Sequence, residues 1–370
     1  MKFLPVAEPD LGALEEQYVL EAVRSGWISS IGAFIDRFER SFAVRVGVDH
    51  CVSLANGTVA LHVALVARGI GPGDEVIVPD LTFVATASAV VLSGATPVLV
   101  DVERDTFGID PVLVSQAITT RTKAIIPVHL YGHPASMGAL EEISQRHALF
   151  LLEDAAEAHG ARAAGRSVGS IGDAACFSFY GNKILTTGEG GCLTTNDESF
   201  ARRVRFLKDH AMSADRRYFH PEVGFNYRMT NLQAAVGCAQ IERFDELLRL
   251  KARVFDTYRE LLAGSEVQLR PSREGFESVC WLVTALLPGQ WSAERQASLF
   301  ARLRQKQIDA RPFFVPLHEM PPYQGLRFVS RDGPVSSHLA AKGICLPSSG
   351  KLTRDDITRV VEALLEAIRN

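Results

Sequence analysis

"CFSFYGNKILTTGEGGCLTTND", residues 176–197, sets one lysine, Lys183, between an apolar run and a glycine-rich turn. The segments on either side, "ACFSFYG" (175–181) and "GCLTTN" (191–196), are apolar almost throughout. That pattern suits strands covered on both faces. A surface lysine usually sits among polar groups, whereas this one follows a buried strand. It is either an ordinary loop charge or an amine held ready for chemistry.

Outward from this stretch, strand-like runs alternate with helix-like ones. "HCVSLA" (50–55), "EVIVP" (75–79), "TPVLVDV" (96–102), "KAIIPVHLYG" (123–132) and "LFLLED" (149–154) read as strands. "TVALHVALVARG" (58–69), "ATASAVVLSG" (85–94) and "MGALEEISQRHA" (137–148) read as helices between them. Such alternation predicts an α/β fold with a largely parallel central sheet. Two longer helical stretches follow, 198–211 and 230–264, the second long enough to bridge two domains. A smaller α+β segment closes the chain. We expect a large domain over residues 1–245 and a small C-terminal domain over 246–370.

Composition narrows the function classes. Of 370 residues, 47% are hydrophobic and 22% charged, ordinary for a globular protein. The net charge of −4, with no long run of one sign, argues against a nucleic-acid or membrane-surface partner. The six cysteines contain no CxxC pair, so neither a metal site nor a disulfide framework is expected. The N-terminus lacks the apolar core of a signal peptide, and reduced cysteines fit a cytoplasmic protein. Residues 81–100, "LTFVATASAVVLSGATPVLV", carry no charge over 20 residues, but Gly94 and Pro97 divide them into a buried helix, a turn and a strand.

Ligands of open α/β sheets bind beyond the carboxyl ends of the strands, and four features fall at such ends. Asn56-Gly57-Thr58 follows a strand and opens a helix. Its free N–H groups are either an ordinary N-cap or a phosphate cradle. Glu153 and Asp154 end "LFLLED", where a carboxylate is costly unless paired. They are structural acids or partners of a cationic ring nitrogen. Phe83 is core or a stacking platform. Lys183, with Ser178 upstream, is the fourth. The spacing fits neither a Walker loop nor a dinucleotide fingerprint. Taken together, phosphate cradle, ring-nitrogen acid, aromatic platform and Schiff-base lysine match the groups of pyridoxal phosphate.

The chain also resembles the DegT/DnrJ/EryC1/StrS family of sugar aminotransferases. The likeness rests on "WISSIGAFIDRFE" (27–39), "NGTVALHVAL" (56–65), "GPGDEVIVP" (71–79), "RTKAIIPVHLYG" (121–132), "EDAAEAHGA" (153–161), "FSFYGNKILTTGEGG" (177–191), "GFNYRMTNLQAA" (224–235) and "RPFFVPLHEMPPY" (311–323). The resemblance implies the fold type I, aspartate aminotransferase-like architecture and transfer of an amino group from L-glutamate to a nucleotide-linked keto sugar. It favours GDP-4-keto-6-deoxy-D-mannose. A dTDP-, UDP- or 3-keto sugar stands as the alternative, and a dehydrating deoxysugar enzyme is disfavoured by the retained lysine. The same resemblance implies that Lys183 bonds the cofactor, that Asp154 faces the pyridine nitrogen and that Glu157 stands by the ring. Phe83 would stack on it, and Gly57, Thr58 and Ser178 would contact the phosphate. It implies that Asn226 reaches the phosphate from a neighbouring subunit, giving a homodimer with shared sites. Trp27, Ile28, Ser29, His318 and Tyr323 would line the sugar-nucleotide pocket.

Overall fold

The computed structural model describes residues 2–369. Its centre is an eight-stranded sheet. In spatial order the strands are His50–Leu54, Gly191–Thr195, Ala174–Ser178, Phe150–Asp154, Thr122–Ile125, Glu75–Pro79, Thr96–Val100 and Phe328–Val329. Gly191–Thr195 runs antiparallel to both of its neighbours; the remaining pairings are parallel. This is the expected α/β class. The apolar runs are buried for the expected reason: successive side chains point to opposite faces, and helices cover both. Val76 and Val78 pack into one cluster with the Gly57–Ala67 helix, while Ile77 joins a different cluster with Leu113 and Leu140.

The uncharged stretch 81–100 folds as read, into the helix Ala85–Leu92, a turn at Gly94 and the strand Thr96–Val100. Among the described residues no helix is long and apolar enough to cross a membrane. The predicted helical run 230–264 differs. It forms two helices, Asn231–Glu242 and Phe244–Leu261, jointed at Arg243. The Arg243 backbone is non-helical (φ −93°, ψ 7°), and its guanidinium is drawn to Asp10 at 2.7 Å and Glu15 at 3.2 Å. A tertiary anchor thus overrides helix periodicity. The predicted strand 123–132 is also shorter, ending at Ile125. Beyond it, Tyr131 takes a left-handed backbone (φ 55°).

The C-terminal part carries its own antiparallel sheet, ordered Gln268–Leu269, Val283–Leu286, Gly343–Leu346 and Arg311–Pro312. A separate hydrophobic cluster built on Tyr258, Leu303, Ile344 and Val360 supports it. Phe328–Val329, from the same part of the chain, pairs instead with the edge strand Thr96–Val100 of the large sheet.

One core residue is at odds with its surroundings. His159 is buried among Phe42, Phe177 and Phe179, with ring centroids 5.2–6.3 Å apart; among the described residues neither ring nitrogen makes a well-formed hydrogen bond, the Ser178 backbone acting on the ring only as its smallest influence. Burial, reinforced by the Lys183 charge, holds its pKa down to about 3. An unsatisfied buried polar group costs stability. His159→Leu is therefore expected to stabilise the protein by about 1–2 kcal/mol in urea unfolding. The sign with pH follows from linkage. Below about pH 6.5 the unfolded histidine binds a proton that the folded one refuses, so stability falls as pH drops. The variant should lose that part of the acid sensitivity. A destabilised His159→Leu protein would show that the ring has a partner in solution.

Candidate active site

The carboxyl ends of the central strands open into a cavity of about 640 Å³, ample for a small cofactor and part of a substrate. One wall is the start of the Gly57–Ala67 helix. The Asn56 side chain caps it by accepting from the Val59 N–H at 3.0 Å. Gly57 and Thr58 lie in its first turn, where backbone N–H groups have no intrahelical acceptor. The turn is packed too tightly for larger residues. A Cβ on Gly191 would come within 2.4 Å of the Asn56 carbonyl, and one on Gly57 within 2.9 Å of the Ser178 Cβ. These glycines bring two strand ends and a helix N-terminus together, so that Gly57, Thr58 and Ser178 line one end of the cavity.

Strand alternation separates the two acids that the sequence left open. Glu153 faces away from the cavity. Its carboxylate accepts from His129 Nε2 at 3.0 Å and from the Gly169, Ile171 and Gly172 N–H groups at 2.8–2.9 Å. His129 Nδ1 accepts from the Ala135 N–H at 3.0 Å, so Nε2 is the ring's donor. Glu153 is a structural acid. Asp154, one residue on, lines the cavity and accepts from the Thr86 hydroxyl at 2.8 Å. Burial raises the Asp154 pKa, which the Thr86 hydrogen bond partly offsets.

Lys183 projects into the same space. Its Nζ lies 3.5 Å from Glu157 Oε1 and 3.8 Å from the centroid of the Trp281 ring. Burial lowers the Lys183 pKa, with Glu157 and Asp154 acting against the shift. Burial likewise raises the Glu157 pKa, opposed by Lys183. Glu157 Oε2 is fixed by the Tyr131 N–H at 2.7 Å, an amide that the left-handed Tyr131 backbone aims at it. Trp281 is tied back by its indole N–H, which donates to the Asn182 carbonyl at 2.7 Å. Phe83 forms part of the wall, half-exposed, its ring 5.7 Å from that of Phe314.

Gly57, Thr58, Phe83, Asp154, Glu157, Ser178 and Lys183 thus converge on one cavity. The other residues named from the resemblance are not among those lining this cavity in the single chain. Asn226 is exposed, its Oδ1 accepting from Arg228 at 3.1 Å. Trp27, Ile28 and Ser29 are exposed on a segment whose carbonyls at Trp27 and Ser29 accept from Asn231. His318 is held by Asp80 at 2.7 Å and stacks on Phe328. Tyr323 is buried, with its hydroxyl 2.8 Å from that of Ser88. Sequence reasoning missed Tyr131, Asn182, Trp281, Arg311 and Phe314 as cavity residues. Tyr131 and Asn182 sit inside motifs that had been singled out, but nothing in the sequence distinguishes Trp281, which joins the site by folding back over Lys183.

The arrangement offers an anion cradle, a buried acid, an aromatic face and an amine. Asn182 Oδ1 is, in addition, buried at the cavity wall without a partner among the described residues. These features fit pyridoxal phosphate. Residues 9–365 match the model of the DegT/DnrJ/EryC1/StrS aminotransferase family.

The chain belongs to this aminotransferase family. It is similar to the GDP-perosamine synthases of Caulobacter vibrioides, 48% identical over 98% of this chain and 97% of the relative, and of Escherichia coli O157:H7, 40% identical over 99% of each. Among solved structures, the PLP form of a Streptococcus pneumoniae protein superposes with a TM-score of 0.94 at 29% identity, covering 100% of this chain and 99% of the other. The family match spans both the large sheet and the C-terminal sheet, so the cavity between them lies within the matched region.

Proposed function

We propose that this aminotransferase uses pyridoxal phosphate to move the amino group of L-glutamate onto GDP-4-keto-6-deoxy-D-mannose, forming GDP-perosamine. The observation that carries the reading is the convergence of Lys183, Asp154 and the Gly57-Thr58-Ser178 cradle in one cavity. Likeness to proteins named GDP-perosamine synthase supports the choice of sugar.

When bound, the cofactor supplies an aldehyde to take up the amino group and a ring to accept electrons. The chain supplies the rest. Gly57, Thr58 and Ser178 hold the phosphate. Asp154 would hold a proton on the ring nitrogen, and the Thr86 hydrogen bond fixes the orientation of its carboxylate. Phe83 supports the ring face. Lys183 Nζ would be the base that takes the proton from the donor's α-carbon and the acid that returns one as the amino group is transferred. Glu157 stands 3.5 Å away and steadies the protonated amine. 2-Oxoglutarate leaves, the keto sugar enters, and the proton transfers run in reverse. Kinetics are ping-pong. We place the enzyme in the cytoplasm as a homodimer whose sites are completed across the interface, with Asn226 reaching the partner's phosphate. Trp27, Ile28 and Ile31, large apolar side chains exposed together on one short segment, support that assembly.

The test is a mass-spectrometric assay with L-glutamate and either GDP-4-keto-6-deoxymannose or dTDP-4-keto-6-deoxyglucose. Amino sugar from the GDP substrate alone is expected. Product from the dTDP substrate alone would keep the chemistry and overturn the proposed substrate.

A further inference from the structure

Both substrates of the proposed reaction are anionic: one is a dicarboxylate amino acid, the other carries a diphosphate. The described residues lining the cavity are poorly matched to that charge. Its acids are Asp154, Glu157 and Glu189, and its cations are Lys183 and Arg311. Lys183 is already engaged by Glu157 and the Trp281 face. Arg311 is the remaining cation among the described lining residues.

The Arg311 backbone is well fixed. It lies on the edge strand Arg311–Pro312, paired with Cys345 and Ile344 of the neighbouring strand, and Cys345 also lines the cavity. Three residues on, the Phe314 N–H donates to the Tyr131 hydroxyl at 3.0 Å, and the Phe314 ring packs against Phe83. Its side chain is much less constrained. One nitrogen, Nη2, meets Asp309 Oδ2 at 3.4 Å, long for a charge-assisted bond, and the two side chains are 55% and 31% exposed. That carboxylate also accepts from the Val6 N–H. A guanidinium presents five donors in a planar fork that matches carboxylate and phosphate oxygens. Most of that exposed fork is left to meet a ligand in the cavity that Arg311 helps to line.

We propose that Arg311 is the anion-recognising residue of this cavity, taking an oxyanion of the reacting substrate on its guanidinium fork. The inference rests on the aminotransferase reading above. The oxyanion is the donor's carboxylate or the sugar's diphosphate, and the two halves of a ping-pong reaction separate these sources.

The experiment compares wild-type holoenzyme with Arg311→Met and Arg311→Lys. Calorimetry measures the affinity of 2-oxoglutarate and of GDP. Single-turnover absorbance measures the glutamate and sugar half-reactions separately. Arg311→Met is expected to weaken one of the two probes about 10- to 100-fold, the range for a hydrogen-bonded charge, and to slow the matching half-reaction. Arg311→Lys should recover part of the loss, because it keeps charge without the fork. Loss with 2-oxoglutarate assigns the carboxylate, and loss with GDP the diphosphate. Unchanged affinity and rates in both arms would overturn the proposal. So would an equal loss in both arms accompanied by a lower melting temperature, which would mark a structural role. A wild-type enzyme that binds both probes but turns over neither substrate would instead overturn the function reading, while the calorimetric arm would still decide the role of Arg311.

Discussion

Replacing Lys183 by alanine abolishes the visible absorbance of the lysine-bound cofactor and lowers turnover by about 10⁴-fold, the upper range for a general acid–base group. The expectation comes from geometry. Lys183 Nζ is the amine that lines the cavity, beside Glu157 and over Trp281. Among the described residues lining it, no other side chain can both bond an aldehyde and move a proton. The fold should survive, because the side chain's neighbours within reach are Glu157 and the Trp281 ring. Glu157, deprived of its cation, would take up a proton more readily. A small primary amine added to Lys183→Ala should restore a fraction of the turnover, since it supplies the missing base without the tether. Absorbance, single-turnover rates and circular dichroism together check the claim. A variant with native dichroism and near-native turnover would overturn the proposed role.

Replacing Glu153 by alanine is expected to lower stability by about 3–5 kcal/mol, the range for breaking a buried charged network from one side. Four donors converge on this carboxylate: the His129 ring and the Gly169, Ile171 and Gly172 N–H groups. Truncation strands all of them in the core without acceptors. The direction with pH follows as well. Burial alone would push the Glu153 pKa up, but the His129 hydrogen bond and the loop amides more than reverse it, and the net shift is downward. A depressed carboxylate contributes stability that is present above its unfolded value, about 4.3, and is lost as pH falls through its folded value. Urea unfolding of the cofactor-free protein from pH 7 to pH 3 checks both points. Wild type should lose stability toward the acid end, and Glu153→Ala should start lower and show less of that slope. A loss below 1 kcal/mol would mean that the 169–172 loop finds other acceptors.

Adjacent residues Glu153 and Asp154 show where sequence reading stops. "LFLLED" announced a buried strand ending in two costly carboxylates, and that much followed from composition and position. Which acid was structural depended on the face each occupied, and hence on what each face met: a loop of free amides on one side, a cavity on the other. Lys183 was legible because a lone cation between a buried strand and a glycine turn contradicts its local setting. Gly57 and Thr58 were legible because strand-to-helix turns have a known physical use, and Ser178 through the family resemblance. Arg243 was not read as a joint, since its anchors Asp10 and Glu15 lie more than 200 residues away in sequence.

The family resemblance added Glu157 and the role of Ser178; the α/β class, the mostly parallel sheet, the cofactor chemistry and the other five residues that converge on the cavity came from the residues themselves. These are local properties: hydrophobic period, turn chemistry and residues out of keeping with their neighbours. Only the tertiary structure brought Trp281 over Lys183, turned Tyr131 so that its amide fixes Glu157, and put Arg311 among the residues lining the cavity. It also set the His318 ring on Asp80 and the Tyr323 hydroxyl on that of Ser88. Those contacts join segments distant in sequence. They are set by how two layers of structure pack across a sheet end, and no local pattern in the chain encodes that distance.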